Sequence, residues 1–331
     1  MSRPANRFFV LFGLITAFFA VAGHAALADT KPRKLDGVIV NSVSANNGVV
    51  AVMIDNQSAA RPQAGLDKAQ VVYEAVAEGG IPRFMALYSA INPSWLVGPV
   101  RSTRPYFVYY AAEYPAALAH AGGSPDGMAA LKKYRLVNIE GIIGKTAKFF
   151  YRLAGGGVHS LYTNGKNLLA AVTAAKFDKF HPPYWGWTYT DEPGLNDRAN
   201  GKHGVTINIG GGKLYDIRYD YSKAKNVYLR STGGKPHKDR VTKQQITVKN
   251  VVLILVPKEK VLDRKGHVDL HTVGKGKAIV LQNGRAININ WQKKTPSARL
   301  ALTLPNGGPV KLNRGNTWIT IVPAGHPYKI F

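Results

Sequence analysis

Val71-Val72-Tyr73-Glu74-Ala75-Val76-Ala77-Glu78-Gly79-Gly80-Ile81-Pro82-Arg83-Phe84-Met85-Ala86-Leu87-Tyr88 sets two apolar runs on either side of a Gly-Gly-Ile-Pro junction. Glycines that accept positive φ, followed by a proline, mark a tight chain reversal, so the stretch reads as a β-hairpin. A helix over residues 66–78 is the competing reading. Just upstream, Val49-Val50-Ala51-Val52-Met53-Ile54 is rich in β-branched residues and ends at Asp55-Asn56, the pattern of a buried strand entering a turn. Downstream, Tyr106–Tyr114, Met128–Tyr134 and the Ala-rich Leu168–Ala175 predict helices. Residues 47–176 therefore read as a mixed α/β domain.

Residues 177–204 are aromatic and rich in Pro and Gly (Phe180-His181-Pro182-Pro183-Tyr184-Trp185-Gly186-Trp187) with no period, and read as a linker. Beyond it the pattern is β. Val205–Ile209, Val227–Arg230, Ile246–Val256, Lys277–Leu281, Ala298–Leu304 and Thr317–Val322 are strand-like, with turn signals at Gly233-Gly234, Asn283-Gly284 and Asn306-Gly307. The fold class expected is α+β: a mixed α/β N-terminal domain followed by a mostly β C-terminal domain at 205–331.

At the other end, Arg3 and Arg7 precede the apolar run Phe8–Val21 and the A-x-A pattern Ala26-Leu27-Ala28, the marks of a cleaved export signal over residues 1–28. The run is shorter than the roughly 20 residues a membrane-spanning helix needs, and no other segment is apolar enough to span. Residues 29–46 are polar and read as a tether. There is no cysteine among the 331 residues, which excludes thiol catalysis, thiolate metal sites and a lipidated Cys within them. The formal net charge is +25, unevenly distributed: residues 29–210 carry 19 basic and 13 acidic side chains, residues 211–331 carry 23 and six. Such a field draws polyanions. An exported chain meets anionic envelope polymers before nucleic acid, so the expected partner is an anionic envelope polymer such as peptidoglycan, with no nucleic acid and no transmembrane segment in the mature chain.

Polar residues of the N-terminal half gather beside glycines and prolines: Met53-Ile54-Asp55-Asn56 with Ala60-Arg61-Pro62-Gln63; Tyr73 to Met85; Gly98-Pro99-Val100-Arg101-Ser102-Thr103-Arg104-Pro105-Tyr106; and Ala119-His120-Ala121-Gly122-Gly123-Ser124-Pro125-Asp126. With Phe150-Tyr151-Arg152, Val158-His159-Ser160-Leu161-Tyr162-Thr163 and, later, Tyr228-Leu229-Arg230, Pro236-His237-Lys238-Asp239, Asn250-Val251-Val252 and Gly315-Asn316-Thr317-Trp318-Ile319, these runs resemble the YerB-like putative lipoprotein family over roughly residues 45–325. The resemblance implies export and a two-part domain, and no established activity. Two departures stand out: the family's lipidated Cys is missing, and Val158-His159-Ser160 occupies the place of a Pro-His-Asn run.

The residues themselves suggest chemistry. Glu74 and Glu78 share a face of a strand or a helix. On a strand their Cα atoms stand roughly 13 Å apart, beyond the roughly 5–9.5 Å between the carboxyls of a glycosidase pair. Asp55 or Asp126 would then partner Glu78 as the acid of a carboxylate-dependent glycan hydrolase; the alternative is a structural ion pair of Glu78 with Arg83 or with Arg101 and Arg104. Those arginines sit in a loop suited to clamping carboxylate or phosphate. His120, before Gly122-Gly123-Ser124, is an acid–base candidate. His159 behind its glycines is another, and Arg152 is a further ligand candidate. Ser124 lacks a G-x-S-x-G elbow. Arg230 with His237-Lys238-Asp239 forms a cationic loop that either faces a polyanion or packs at an interface. His267-Val268-Asp269-Leu270-His271 reads as exposed polar alternation rather than a metal site, Gly210-Gly211-Gly212-Lys213 lacks the spacing of a phosphate loop, and no cofactor is called for.

Three functions are compatible with this pattern. The first is binding, with or without hydrolysis, of an anionic cell-wall glycan or similar polymer. The second is a non-enzymatic envelope scaffold that binds another protein, and the third is a binder of a small anionic solute.

Overall fold

A computed structural model describes residue 1 and residues 29–42, 45, 48–155, 157–177, 184–200 and 203–331. Residues 2–28 of the expected export signal, residues 43, 44 and 46 of the expected tether, residue 47 and the Phe180-His181-Pro182-Pro183 part of the linker lie outside the described residues.

The hairpin forms where its residues predict it. Strand β1 (Val50–Ile54) is buried along its whole length, β2 (Val71–Val76) likewise, and β3 (Pro82–Tyr88) nearly so. β2 and β3 pair antiparallel from Val71↔Leu87 to Val76↔Pro82, and β1 lies antiparallel on the far side of β3. Gly79 and Gly80 take positive φ (66° and 72°) in the connection, and the helix alternative for 66–78 is not realised. Next come β4 (Ala117–His120) and β5 (Val137–Glu140), parallel to β1.

The second half supplies β6 (Val205–Ile207), β7 (Ile217–Ser222), β8 (Val227–Thr232), β9 (Asn250–Val256), β10 (Gly274–Gln282), β11 (Arg285–Lys293), β12 (Ala301–Thr303), β13 (Thr317–Pro323) and β14 (Tyr328–Ile330). Five of these join the hairpin's sheet, giving ten strands in the order β12-β11-β10-β9-β13-β2-β3-β1-β4-β5. The seam between the halves is the parallel pair β13–β2, Thr317↔Val71 to Thr320↔Glu74. β9 and β13 at the centre are near-continuous apolar runs, as strands covered on both faces must be. β8-β7-β6-β14, with Lys235–Pro236 and Thr247–Val248 alongside β8, make a second antiparallel sheet.

Side-chain alternation along β2 assigns the layers. Tyr73 faces helix α1 (Pro105–Ala112), stacking on Tyr110 at 4.3 Å, while Tyr106 Oη donates to Val76 O at 2.7 Å. Glu74 points the other way, to Arg230 of β8. Helices, large sheet and small sheet are thus stacked in that order around one core. Helix α2 (Pro125–Lys133) is capped by Ser124, whose Oγ accepts from Gly127 N at 3.2 Å, and α3 (Gly165–Ala174) by Asn164.

Two expectations change. Thr30–Pro32 and Ile39–Asn41 pair as a small hairpin instead of trailing as a tether, because Leu35 at its bend is buried and Tyr189 Oη donates to Leu35 O at 2.6 Å. The described part of the aromatic linker is packed too: Thr188–Thr190 pairs with Lys311–Asn313, and Arg299 lies 3.9 Å over the Trp187 ring. Among the described residues of that aromatic run, Trp185 alone stays strongly exposed, at 80%. Among the described residues no helix is long and apolar enough to cross a membrane.

Candidate functional site

β1 and β4 run side by side only as far as Val52↔Ala119 and then part. Residues 99–103 fill the fork. Asp55 N donates to Pro99 O (2.8 Å) and Arg101 N to Met53 O (3.0 Å) on one side; on the other, Ala121 N donates to Arg101 O and Thr103 N to Gly122 O, both at 3.0 Å. This places Asp55, Arg101, Ser102 and Arg104 at the carboxyl ends of parallel strands, where open α/β sheets characteristically hold ligands.

Two linked ion-pair groups occupy the fork. In the first, buried Asp55 accepts from His159 Nδ1 at 2.7 Å through Oδ2, from Gln57 N at 2.9 Å through Oδ1, and lies 3.2 Å from Arg101 Nε. With Nδ1 committed to Asp55, His159 Nε2 has no partner among the described residues, and the ring is 20% exposed. The Arg101 guanidinium, 29% exposed, has that one carboxylate as its only ion-pair partner among the described residues. In the second group, Glu78 receives Arg83 NH2 at 2.7 Å and Arg104 Nε, while His267 Nε2 stands 3.7 Å away. Arg83 NH1 donates to Ser102 O at 3.2 Å, which ties this group to the residue beside Arg101. Burial alone would raise the Glu78 carboxyl, but the Arg104 hydrogen bond and the Arg83 and Arg104 charges outweigh it and hold it below the usual carboxylate range. The same crowding, burial first and Arg104 second, depresses the Arg83 guanidinium.

The structure thus brings Asp55, Glu78, Arg83, Arg101, Arg104 and His159 together. Other expected site residues lie elsewhere. His120 is sealed at 0% exposure: Nδ1 donates to Gly122 O and Nε2 meets the Asn138 amide, each at 2.9 Å, with Glu140 behind. It is a structural histidine and cannot reach a substrate. Glu74 is equally buried and forked by Arg230 NH2 at 2.7 and 2.9 Å, on the opposite face of the sheet from α1. Arg230 also lies 4.8 Å over the Trp318 ring and donates to His237 Nδ1 at 2.6 Å, while His237 Nε2–H donates to Gln63 Oε1 at 2.9 Å. Burial, then the Arg230 and Arg61 charges, push His237 well below the usual imidazole range, so it is neutral. Glu74 and His237 are therefore part of the joint between the two sheets and not ligand groups, because neither polar end reaches solvent. Asp126 is exposed in the first turn of α2, with no carboxylate partner, and Arg152 is exposed, donating to Gly157 O at 2.7 Å. His267 turns to Asp263 at 2.6 Å and to Glu78, and His271 to Asp269 at 3.6 Å, so the run does not converge on one point.

Sequence reasoning missed the joining of Asp55 to His159 and the approach of His267 to Glu78. The signals available were only an Asp at a strand end and a His behind glycines.

The profiles described as the N-terminal and C-terminal domains of a protein of unknown function, DUF3048, match residues 35–178 and 205–319. The chain is 30% identical over 277 residues to "Putative lipoprotein YerB" of Bacillus subtilis (strain 168), spanning 83% of this chain and 81% of that one. The crystal structure of YerB protein from Bacillus subtilis superposes with a TM-score of 0.77 at 27% identity, covering 89% of this chain and 98% of that one.

Proposed function

Since the chain belongs to the DUF3048 family, with a lipoprotein-named relative matching most of its length, we propose that it is an exported envelope protein that binds an anionic cell-wall polymer at the strand fork. These 331 residues contain no cysteine, and in this reading the protein surface itself holds to the envelope polymer.

One observation carries the reading: three guanidinium groups face two carboxylates at the fork, and Arg101 keeps the greater part of its donor fork uncommitted. A carboxylate or phosphate on the polymer completes that pairing. The 23 basic residues of the second half, against six acidic, supply the long-range attraction. Purified mature protein is expected to sediment with purified cell walls at low salt, with Arg101→Ala weakening retention about tenfold. A contact of this kind weakens as salt screens it, over a Debye length of about 10 Å at 0.1 M. Retention unchanged by high salt and by Arg101→Ala would point to a protein partner instead, for which exposed Ile142, Ile143 and Val158 in the flanking loops are the available apolar surface.

Hydrolysis is a second reading, favoured by the Asp55–His159 pair. A buried carboxylate fixes the imidazole's orientation and leaves Nε2 free to take a proton from water. Glu78, held ionised by two arginines, is the wrong species for a general acid. Release of reducing ends or peptide fragments from walls, abolished in His159→Asn while wall binding persists, is the expected result; absence of any release by the wild-type protein removes this reading and leaves the binding one.

A further inference from the structure

Away from the fork, a cavity of about 280 Å³ opens between the 61–62 loop of the first half and the end of β8 with its following turn. Arg61, Leu214, Thr232, Lys235, His237 and Lys238 line it, and no acidic residue does. We propose that this cavity is a binding site for a phosphate group.

The arginine is held in place by the protein but not satisfied by it. Arg61 Nε donates to Asn56 Oδ1 at 3.0 Å and NH1 to Leu214 O at 2.7 Å, and the guanidinium lies 4.9 Å over the Tyr215 ring. Its remaining nitrogen, NH2, is shielded from solvent and has no hydrogen-bond partner. Thr232 Oγ1, on the strand that forms the opposite wall, is in the same condition. Both atoms belong to residues that line this one small cavity, and buried polar groups of this kind are nearly always paired. Lys235 and Lys238 are exposed at the mouth, with no partner among the described residues. Deeper in, the charge of Arg230 is neutralised by Glu74, and His237 has both ring nitrogens engaged, so it forms wall and not charge. What remains is three cations and one hydroxyl.

The donors approach from both halves of the chain. A planar carboxylate offers two oxygens in one plane, whereas a tetrahedral phosphate offers oxygens toward several directions, and lysine is a common point-charge binder of it. The volume sits just below the usual ligand range of about 300–1,000 Å³, enough for a phosphate with a small substituent. This site does not depend on the strand fork and stands if that reading fails.

Calorimetric titration of the mature protein with inorganic phosphate, against chloride at matched ionic strength, tests it, with sn-glycerol 3-phosphate as a second probe. Saturable one-to-one phosphate binding is expected. Lys235→Ala with Lys238→Ala should lower the affinity at least tenfold, and Thr232→Val several-fold, with melting temperatures in chloride unchanged for the surface pair. The lysine pair should lower the phosphate affinity by the same factor in an Arg101→Ala background, which separates this cavity from the strand fork. Tighter binding of glycerol phosphate would identify an organic phosphate as the natural ligand, and equal binding free phosphate; both support the site. Heat no different from chloride, an affinity unmoved by the lysine pair, or a lysine-pair effect that vanishes in the Arg101→Ala background would each overturn it.

Discussion

Glu74 and Glu78 sit four residues apart and do opposite work. Glu74 neutralises a guanidinium that has no water to turn to, so Glu74→Gln strands a buried charge and should cost about 3–5 kcal/mol, measured by denaturant unfolding. Replacing the pair together, Glu74→Gln with Arg230→Met, should cost less than the single change, because the desolvated charge goes with its partner. His237 adds a pH dependence. Its folded pKa lies well below the ordinary 6.5, so below that pH the unfolded chain binds a proton that the folded one does not. Stability should be full above pH 6.5 and fall as the pH drops, with a slope approaching about 1.4 kcal/mol per pH unit. His237→Gln should remove that slope, whatever it does to stability at pH 7.5. Glu78, also depressed, contributes in the same direction but only as the pH falls below its ordinary 4.5, whereas Glu74 and Asp239, raised by burial, act in the opposite direction. The difference between wild type and His237→Gln at pH 7.5, 6.5 and 5.5 therefore reports the histidine.

Among the elements, the decisive join is a contact between glycines. A Cβ on Gly80 would lie 2.7 Å from Gly211 N, and Gly80 has φ +72°; Gly79 has a similar φ, +66°, and open space around it. Gly79→Ala should therefore cost about 1–2 kcal/mol of left-handed strain alone. Gly80→Ala should cost about 1–3 kcal/mol more, for displacing the 210–212 loop. Equal losses in denaturant unfolding would remove the contact from the account. That contact also explains Gly210-Gly211, which open a run resembling a phosphate loop in composition and serve as a backbone seat for the β2–β3 turn. Local pattern was a good guide where it was strong: β1, the β2–β3 hairpin, the three helices and the long runs of β9 and β13 all stand where their residues put them. It missed Ile217–Ser222 and Arg285–Lys293, whose alternation is visible but interleaved with Arg, Asp and Asn that a half-exposed strand tolerates. Leu35 went unnoticed because a lone apolar residue in a polar stretch carries no period.

Across the whole molecule, five strands from each half of the chain form one continuous sheet, joined at a single seam. Cutting between residues 177 and 204 would expose the β13–β2 seam, leaving two open edges in place of a buried parallel pair. Residues 29–177 and 204–331 expressed separately should each be poorly soluble or unfolded by circular dichroism and amide exchange, and should recover native signal when co-expressed. Independent folding of either half would contradict the weight placed on that seam. Lys293 and Arg299 of the second half, both bonded to Glu113 at the end of α1, reinforce the same join.

The order of residues alone settled β1, the β2–β3 hairpin, the three helices and the long runs of β9 and β13, how the basic charge was divided and which chemistries a cysteine-free chain gives up. Those follow from periodicity, capping and composition, which act over a few neighbours. The partners of the charged groups came from the assembled fold: Asp55 meets His159 across 104 residues, and Glu74 meets Arg230 across 156. A strand's period assigns a side chain to a face, but strand order and register choose the neighbour on that face. The fork between β1 and β4, the sealing of His120 and the gathering of Arg61 with Lys235 and Lys238 all depend on that choice.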